Sequence, residues 1–194
     1  MRIALTGGIA CGKSTAAAFF ARQGYPVIST DSLAHEILDS PDVGVRLRER
    51  FGAGIFLPGG AIDRSQLGRL VFADAVVRAW LEELVHPEVH RRWQAEADAQ
   101  PGRAWVVEIP VLFEKKLETL FDFSVCVACA PCTQLDRLAL RGLDDGQVQD
   151  RLRAQFSIEE KMRRADVCLF NEGSVVFLEQ QIFALLRDLP KNPV

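Results

Sequence analysis

The chain has no excess of basic charge, no long apolar run and few histidines. Lys and Arg number 23 against 26 Asp and Glu, a formal charge of -3, so bulk electrostatics give no case for nucleic acid or an anionic membrane as partner. No apolar run approaches the ~18 residues that a membrane-spanning helix needs. Met1-Arg2 leads straight into "IALT", with no charged leader, apolar stretch and cleavage site, so no signal peptide is expected and the expected location is cytoplasmic. Five cysteines, an odd number without an export signal, are expected to be reduced thiols. The histidines are His35, His86 and His90; no Glu follows His86, so the H-E-x-x-H zinc pattern is missing, and His90 reads as a surface residue. Repeats and low-complexity tracts are absent. At 194 residues and 48% hydrophobic, the chain suits one soluble domain with room for an inserted subdomain.

What is present begins at Leu5, with "LTGGIACGKST". Gly7 to Ser14 fits G-x-x-x-x-G-K-[ST], and it sits between the strand-like "RIALT" (2–6) and the helical "GKSTAAAFFARQG" ended by Gly24. Backbone N–H groups of such a loop cradle phosphates, the lysine bridges β- and γ-phosphates, and the hydroxyl holds Mg²⁺. Gly8, Ile9, Ala10, Cys11, Gly12, Lys13, Ser14 and Thr15 are therefore the expected ATP-binding residues, Ser14 the metal ligand and Lys13 a catalytic cation. Cys11 reads as a small residue tolerated in a loop that works through its backbone.

Further strands are expected at "YPVIS" (25–29), "AWVVEIP" (104–110), "FDFSVCVACA" (121–130) and "DVCLFN" (166–171). Between the second and third lies a mainly helical excursion, 41–103, with its long amphipathic stretch interrupted at Pro87. Pro131 opens a helix, Ser157 and Glu160 stand at capping-box spacing, and Ser174 caps the closing helix. The fold class this implies is α/β: a five-stranded parallel sheet core with helices on both faces, and ligands at the carboxyl ends of the strands.

The phosphate could serve a switch, a motor or a transferase. No Gly has an Asp three residues before it and no Asn-Lys-x-Asp occurs, which excludes a GTPase switch. Glu108 closes the third strand without a second acid, and the chain is short for a motor. A small-molecule kinase needs an acid for the acceptor hydroxyl, a pocket and a lid that carries arginines. Asp31, just past the second strand, is the candidate acid, or else an N-cap for "SLAHEIL". Arg137 and Arg141, four apart on one helix face, are candidates for a phosphate clamp, or for ion pairs with Asp136 or Asp144.

Taken in order, "LTGGIACGKST", "FGAGIFLPGGAIDRSQLGRLVF", "LVHPEV", "EIPVLFE", "TQLDRLALR" and "AQFSIEEKMRRADVCLFNEGS" resemble the dephospho-CoA kinase family over roughly 1–187. The resemblance implies a P-loop kinase domain over 1–194, a CoA-binding helical subdomain at 41–103 and a lid at 137–157. It implies transfer of the ATP γ-phosphoryl group to the 3′-hydroxyl of dephospho-CoA, the last step of coenzyme A synthesis. By position, Asp31 looks like the acid, Arg64, His86, Pro110 and Leu112 like acceptor-side residues, Arg137 and Arg141 like lid arginines, and Asn171 and Gly173 like the adenine turn. ATP and dephospho-CoA are the expected partners, with Mg²⁺ and a monomeric chain. The other readings are another nucleoside or nucleotide kinase, or a nucleotide-binding regulator without turnover.

Three features depart from the family pattern: Ser29 where an acid is usual, Ala10 where glycine is usual, and a lid stretch holding Asp144, Asp145 and Asp150 but no Lys or Arg over 142–150. A weaker grip on ATP is expected from the last. Cys126, Cys129 and Cys132 mimic an iron–sulfur run, but strand alternation is expected to turn the first two to opposite faces.

Overall fold

Short apolar stretches bounded by turn residues become strands. In the computed structural model, which describes residues 1–142 and 144–189, these are β1 (Arg2–Gly7), β2 (Val27–Ser29), β3 (Trp105–Glu108), β4 (Phe123–Ala128) and β5 (Val167–Phe170). They form one parallel sheet in the order β2-β3-β1-β4-β5. Each of the last four is shorter than the apolar run that announced it, because the flanking residues leave the ladder. The helices among the described residues are α1 (Lys13–Arg22), α2 (Thr30–Leu38), α3 (Pro41–Phe51), α4 (Arg64–Ala73), α5 (Ala75–Asp98), α6 (Pro131–Ala139), α7 (Asp145–Arg153), α8 (Ile158–Arg164) and α9 (Val175–Arg187).

Two compact units result: Met1–Ser29 with the chain from Ala97 onward, and Thr30–Glu96. The first holds the sheet. Alternation along β4 sorts its two faces: Val125 and Val127 join Ile3, Leu5 and Leu169 against Phe19 and Phe20 of α1 and Leu178 and Ile182 of α9. Cys126 and Ala128 point the other way, against Ile158 and Met162 of α8. Burying each large side chain of this kind stabilises by about 1.5–3 kcal/mol. β1 is central, so the loop after it emerges at mid-sheet, flanked by the carboxyl ends of β3 and β4.

The second unit is helical, and its bounds differ from the 41–103 excursion read from sequence. The break in its long amphipathic stretch is at Asp74, not at Pro87. Asp74 is extended (φ -131°), and its carboxylate accepts from the Val76 and Val77 amides at 2.7 and 3.3 Å, so a new helix starts there. α5 then runs unbroken through Pro87. Pro87 lies on the exposed side of α5, where the Glu83 carbonyl that loses its partner can meet water, while Val85, Val89 and Trp93 bury the opposite side.

The caps expected at Ser157 and Ser174 form, accepting from the amides of Glu160 and Phe177. Sequence reading passed over α7. Asp144 caps it, and Gln147 completes a capping box, a signal present in "DDGQ". No helix of the described residues is long and apolar enough to cross a membrane.

Candidate active site

The loop after β1 is shaped by backbone approach. A Cβ on Gly7 would lie 2.2 Å from the Val127 carbonyl oxygen, and one on Gly12 (φ 98°) would lie 2.1 Å from Asn171 Nδ2. Neither position admits a side chain. Ala10 is left-handed at φ 59°, a conformation costing a non-glycine residue roughly 1–2 kcal/mol. Its methyl packs with Leu138 and Val148, a partial compensation. Gly12 caps α1 without a side-chain bond, which leaves the amides of the first turn for an anion.

Three side chains from far along the chain seize successive loop carbonyls. Gln134 Nε2 donates to Ile9 O at 2.7 Å, Arg137 donates to Ala10 O at 3.4 Å, and Asn171 Nδ2 donates to Cys11 O at 2.9 Å. Arg137 also donates to Asn171 O at 3.0 Å, joining two of the clamps. Each clamp fixes one carbonyl, and with it the trans peptide plane to which that carbonyl belongs. Cys11 N–H closes the turn on Gly8 O at 3.2 Å. Gln134 and the clamp role of Asn171 were missed in sequence, where Asn171 read as an adenine contact; its amide is buried and committed to the loop.

Cys11 is fully buried and packs with Cys126 and Ala128 of β4 and Ile158 of α8. Its Sγ accepts from the Cys129 thiol at 3.1 Å, in a cluster with Cys126. The expectation that Cys126 and Cys129 face opposite ways fails because β4 ends at Ala128, so alternation does not reach Cys129. Burial pushes both the Cys126 and Cys129 thiols up to about 12. Cys132 is exposed, the second residue of α6.

Ser14 Oγ donates to Glu108 Oε1 at 3.2 Å. Glu108, at the end of β3, is nearly buried, and β3 pairs with β1 so that Leu5 and Glu108 are in register. A hydroxyl and a carboxylate together are hard oxygen donors that suit Mg²⁺, which uses one or two protein groups and takes its remaining ligands from phosphate and water. The acid closing the third strand was the available signal for Glu108, read in sequence only as evidence against a motor. Lys13 opens α1 beside these groups, and Thr15 follows on its exposed side.

The remaining expected residues are less concentrated. Asp31 is exposed and is the second residue of α2, whose start at Thr30 rules out the N-cap alternative. Arg64 is exposed and pairs with Asp39 at 2.5 Å. His86 is half-buried on α5. Pro110 follows β3, and its carbonyl accepts from Thr6 Oγ1 at 3.4 Å. Leu112, expected on the acceptor side, has no exposed surface, so its side chain is spent on packing. Gly173 is exposed in the turn after β5. Arg141 does not share a helix face with Arg137: α6 ends at Ala139, and Arg141 is exposed beyond the cap. His90, read as surface, is half-buried, with Nε2 unpartnered and its ring edge-on to Trp93 at 5.6 Å; burial lowers its pKa below the usual 6.5.

Residues 1–176 match the family described as dephospho-CoA kinase. The chain belongs to the dephospho-CoA kinase family. A relative named dephospho-CoA kinase from Synechococcus sp. (strain JA-3-3Ab) is 40% identical, over 98% of this chain and 93% of the relative. The crystal structure of a Thermus thermophilus protein aligns with a TM-score of 0.82 at 37% identity, covering 98% of both chains. Dephospho-CoA kinase from Campylobacter jejuni aligns with a TM-score of 0.65 at 27% identity, over 96% of each. Membership in this family accounts for the P-loop kinase fold and the order in which the quoted stretches occur.

Proposed function

We propose that the chain transfers the γ-phosphoryl group of ATP to the 3′-hydroxyl of dephospho-CoA, giving CoA and ADP. The observation that carries this is a family match from Met1 onward over a phosphate loop whose carbonyls are clamped and whose Ser14–Glu108 pair is in place. The Ala10 and Gly12 amides and the first turn of α1 bind the phosphates, and Lys13 spans the β- and γ-groups. Ser14 and Glu108 would hold Mg²⁺, which supplies positive charge against the phosphate oxygens. Asp31 accepts the proton of the attacking hydroxyl, the role that its place after β2 suits. Arg137 holds the loop and the turn after β5, and Arg141 brings a further cation from the 137–157 lid. Residues 41–103, with Arg64 and His86, take the acceptor. A monomeric, cytoplasmic enzyme is part of this reading.

The test is CoA formation from ATP, dephospho-CoA and Mg²⁺ by folded protein. Asp31→Asn should lower kcat by roughly 10²–10⁴-fold while ATP still binds in calorimetry. No CoA formation by the wild-type protein sinks the activity; an Asp31→Asn enzyme with normal kcat sinks the assignment of the base.

A further inference from the structure

Lys161, on α8, is the charged side chain with no exposed surface among the described residues. Its Nζ pairs with Glu114 Oε1 at 2.9 Å and donates to Pro110 O at 2.5 Å and Gln155 Oε1 at 3.2 Å. Gly7 O lies at 3.5 Å. The same Glu114 oxygen accepts from the Phe156 amide at 2.7 Å. One ammonium thus gathers three separate segments: the root of the phosphate loop, the turn after β3, and the link from α7 into α8. A charge withdrawn from water is tolerated only when paired and hydrogen-bonded, and this one is held from all sides. Gln155 and Phe156 also line a cleft of about 380 Å³ together with Gly8, Ile9 and Gln134. The segments that Lys161 ties together therefore open directly beside the loop.

We propose that Lys161 is a positioning residue for phosphoryl transfer. With Glu114 it holds Gly7, Pro110 and the 155–156 link in one register, so that phosphates seated on the loop present a fixed line to the acceptor side. It acts through those groups and touches no reacting atom. This rests on the phosphotransfer reading above. Loss of the ammonium leaves the loop amides able to bind phosphate but lets the loop root drift against Pro110, and a misplacement of about 1 Å costs on the order of 10²-fold in rate.

Lys161→Met, Glu114→Gln and Gln155→Ala should be compared with wild type by kcat, KM for ATP and melting temperature. Lys161→Met is expected to lose about 10²-fold in kcat with KM for ATP within about threefold. Gln155→Ala, which removes one partner and leaves the ion pair, should lose several-fold in kcat at unchanged melting temperature. A role in stability alone predicts the reverse: lower melting temperatures and normal kcat per folded molecule, which overturns the proposal. Should Lys161→Met not fold, normal kcat in both Glu114→Gln and Gln155→Ala overturns it equally. Wild-type protein without turnover removes the phosphotransfer reading and this proposal together, whereas normal turnover in all variants removes this proposal alone.

Discussion

The loop region and the helical unit Thr30–Glu96 hold their candidate residues in different ways. In the loop region, partners reach across 118 to 160 residues of chain: Cys129 to Cys11, Gln134 to Ile9, Asn171 to Cys11. In the helical unit, Arg64 is tied to Asp39, 25 residues away, in an exposed pair of a kind worth about 0–1 kcal/mol, and Asp31 is open to solvent. The nucleotide side is thus assembled by the fold itself. The helical unit, proposed above to take the acceptor, carries its candidate residues Asp31 and Arg64 on exposed side chains.

That contrast can be broken at Gly12. Gly12→Ala would strain a left-handed residue and drive a methyl into the Asn171 amide, 2.1 Å from the new Cβ. It should cut kcat/KM by about 10²-fold or more, readable in a steady-state assay, whereas Arg64→Ala should leave ATP binding untouched. A milder cut is Arg137→Met, which frees Ala10 O and Asn171 O together. Hydrogen bonds to a charged group are worth about 1.5–3 kcal/mol, so ATP affinity measured by calorimetry should fall about tenfold or more. The smallest effect belongs to the helical unit and concerns stability. Burial lowers the His90 pKa, so the unfolded chain takes up a proton there at a higher pH than the folded one. The stability contributed by neutral His90 is complete above about 6.5 and declines as pH falls below it. Denaturant titrations from pH 7.5 to 5 should show this acid-side slope, and His90→Phe should flatten it while leaving activity at pH 7.5 in place.

The features legible in sequence were local ones. Strand, glycine loop and helix lie within some twenty residues, and the pattern at Gly7–Ser14 implies its own flanks. The caps at Ser157 and Ser174 were equally local. What escaped depends on tertiary meeting. Nothing near Gln134 or Asn171 announces that they hold the carbonyls of Ile9 and Cys11. The Cys11–Cys129 contact needs a strand that stops at Ala128, two residues short of the expected run. Pro87 looked like a break because proline removes a donor, but the exposed side of α5 makes that loss tolerable, and Asp74, a plain N-cap, makes the true break. α7 was missed although its capping box was in view, because the same acids that start the helix also read as a charge run set against phosphate.

The clamp between Asn171 and Cys11 has a consequence for how the protein is made. The phosphate loop is synthesised well before its partners: the side chain that fixes Cys11 O arrives 160 residues later. β1 likewise waits for β3 and β4 before either of its edges is paired. At about 5–20 residues per second, a nascent chain spends on the order of ten to thirty seconds carrying the phosphate-binding sequence without the phosphate-binding shape. The shape of the loop is therefore complete only once the chain that follows β5 has reached it.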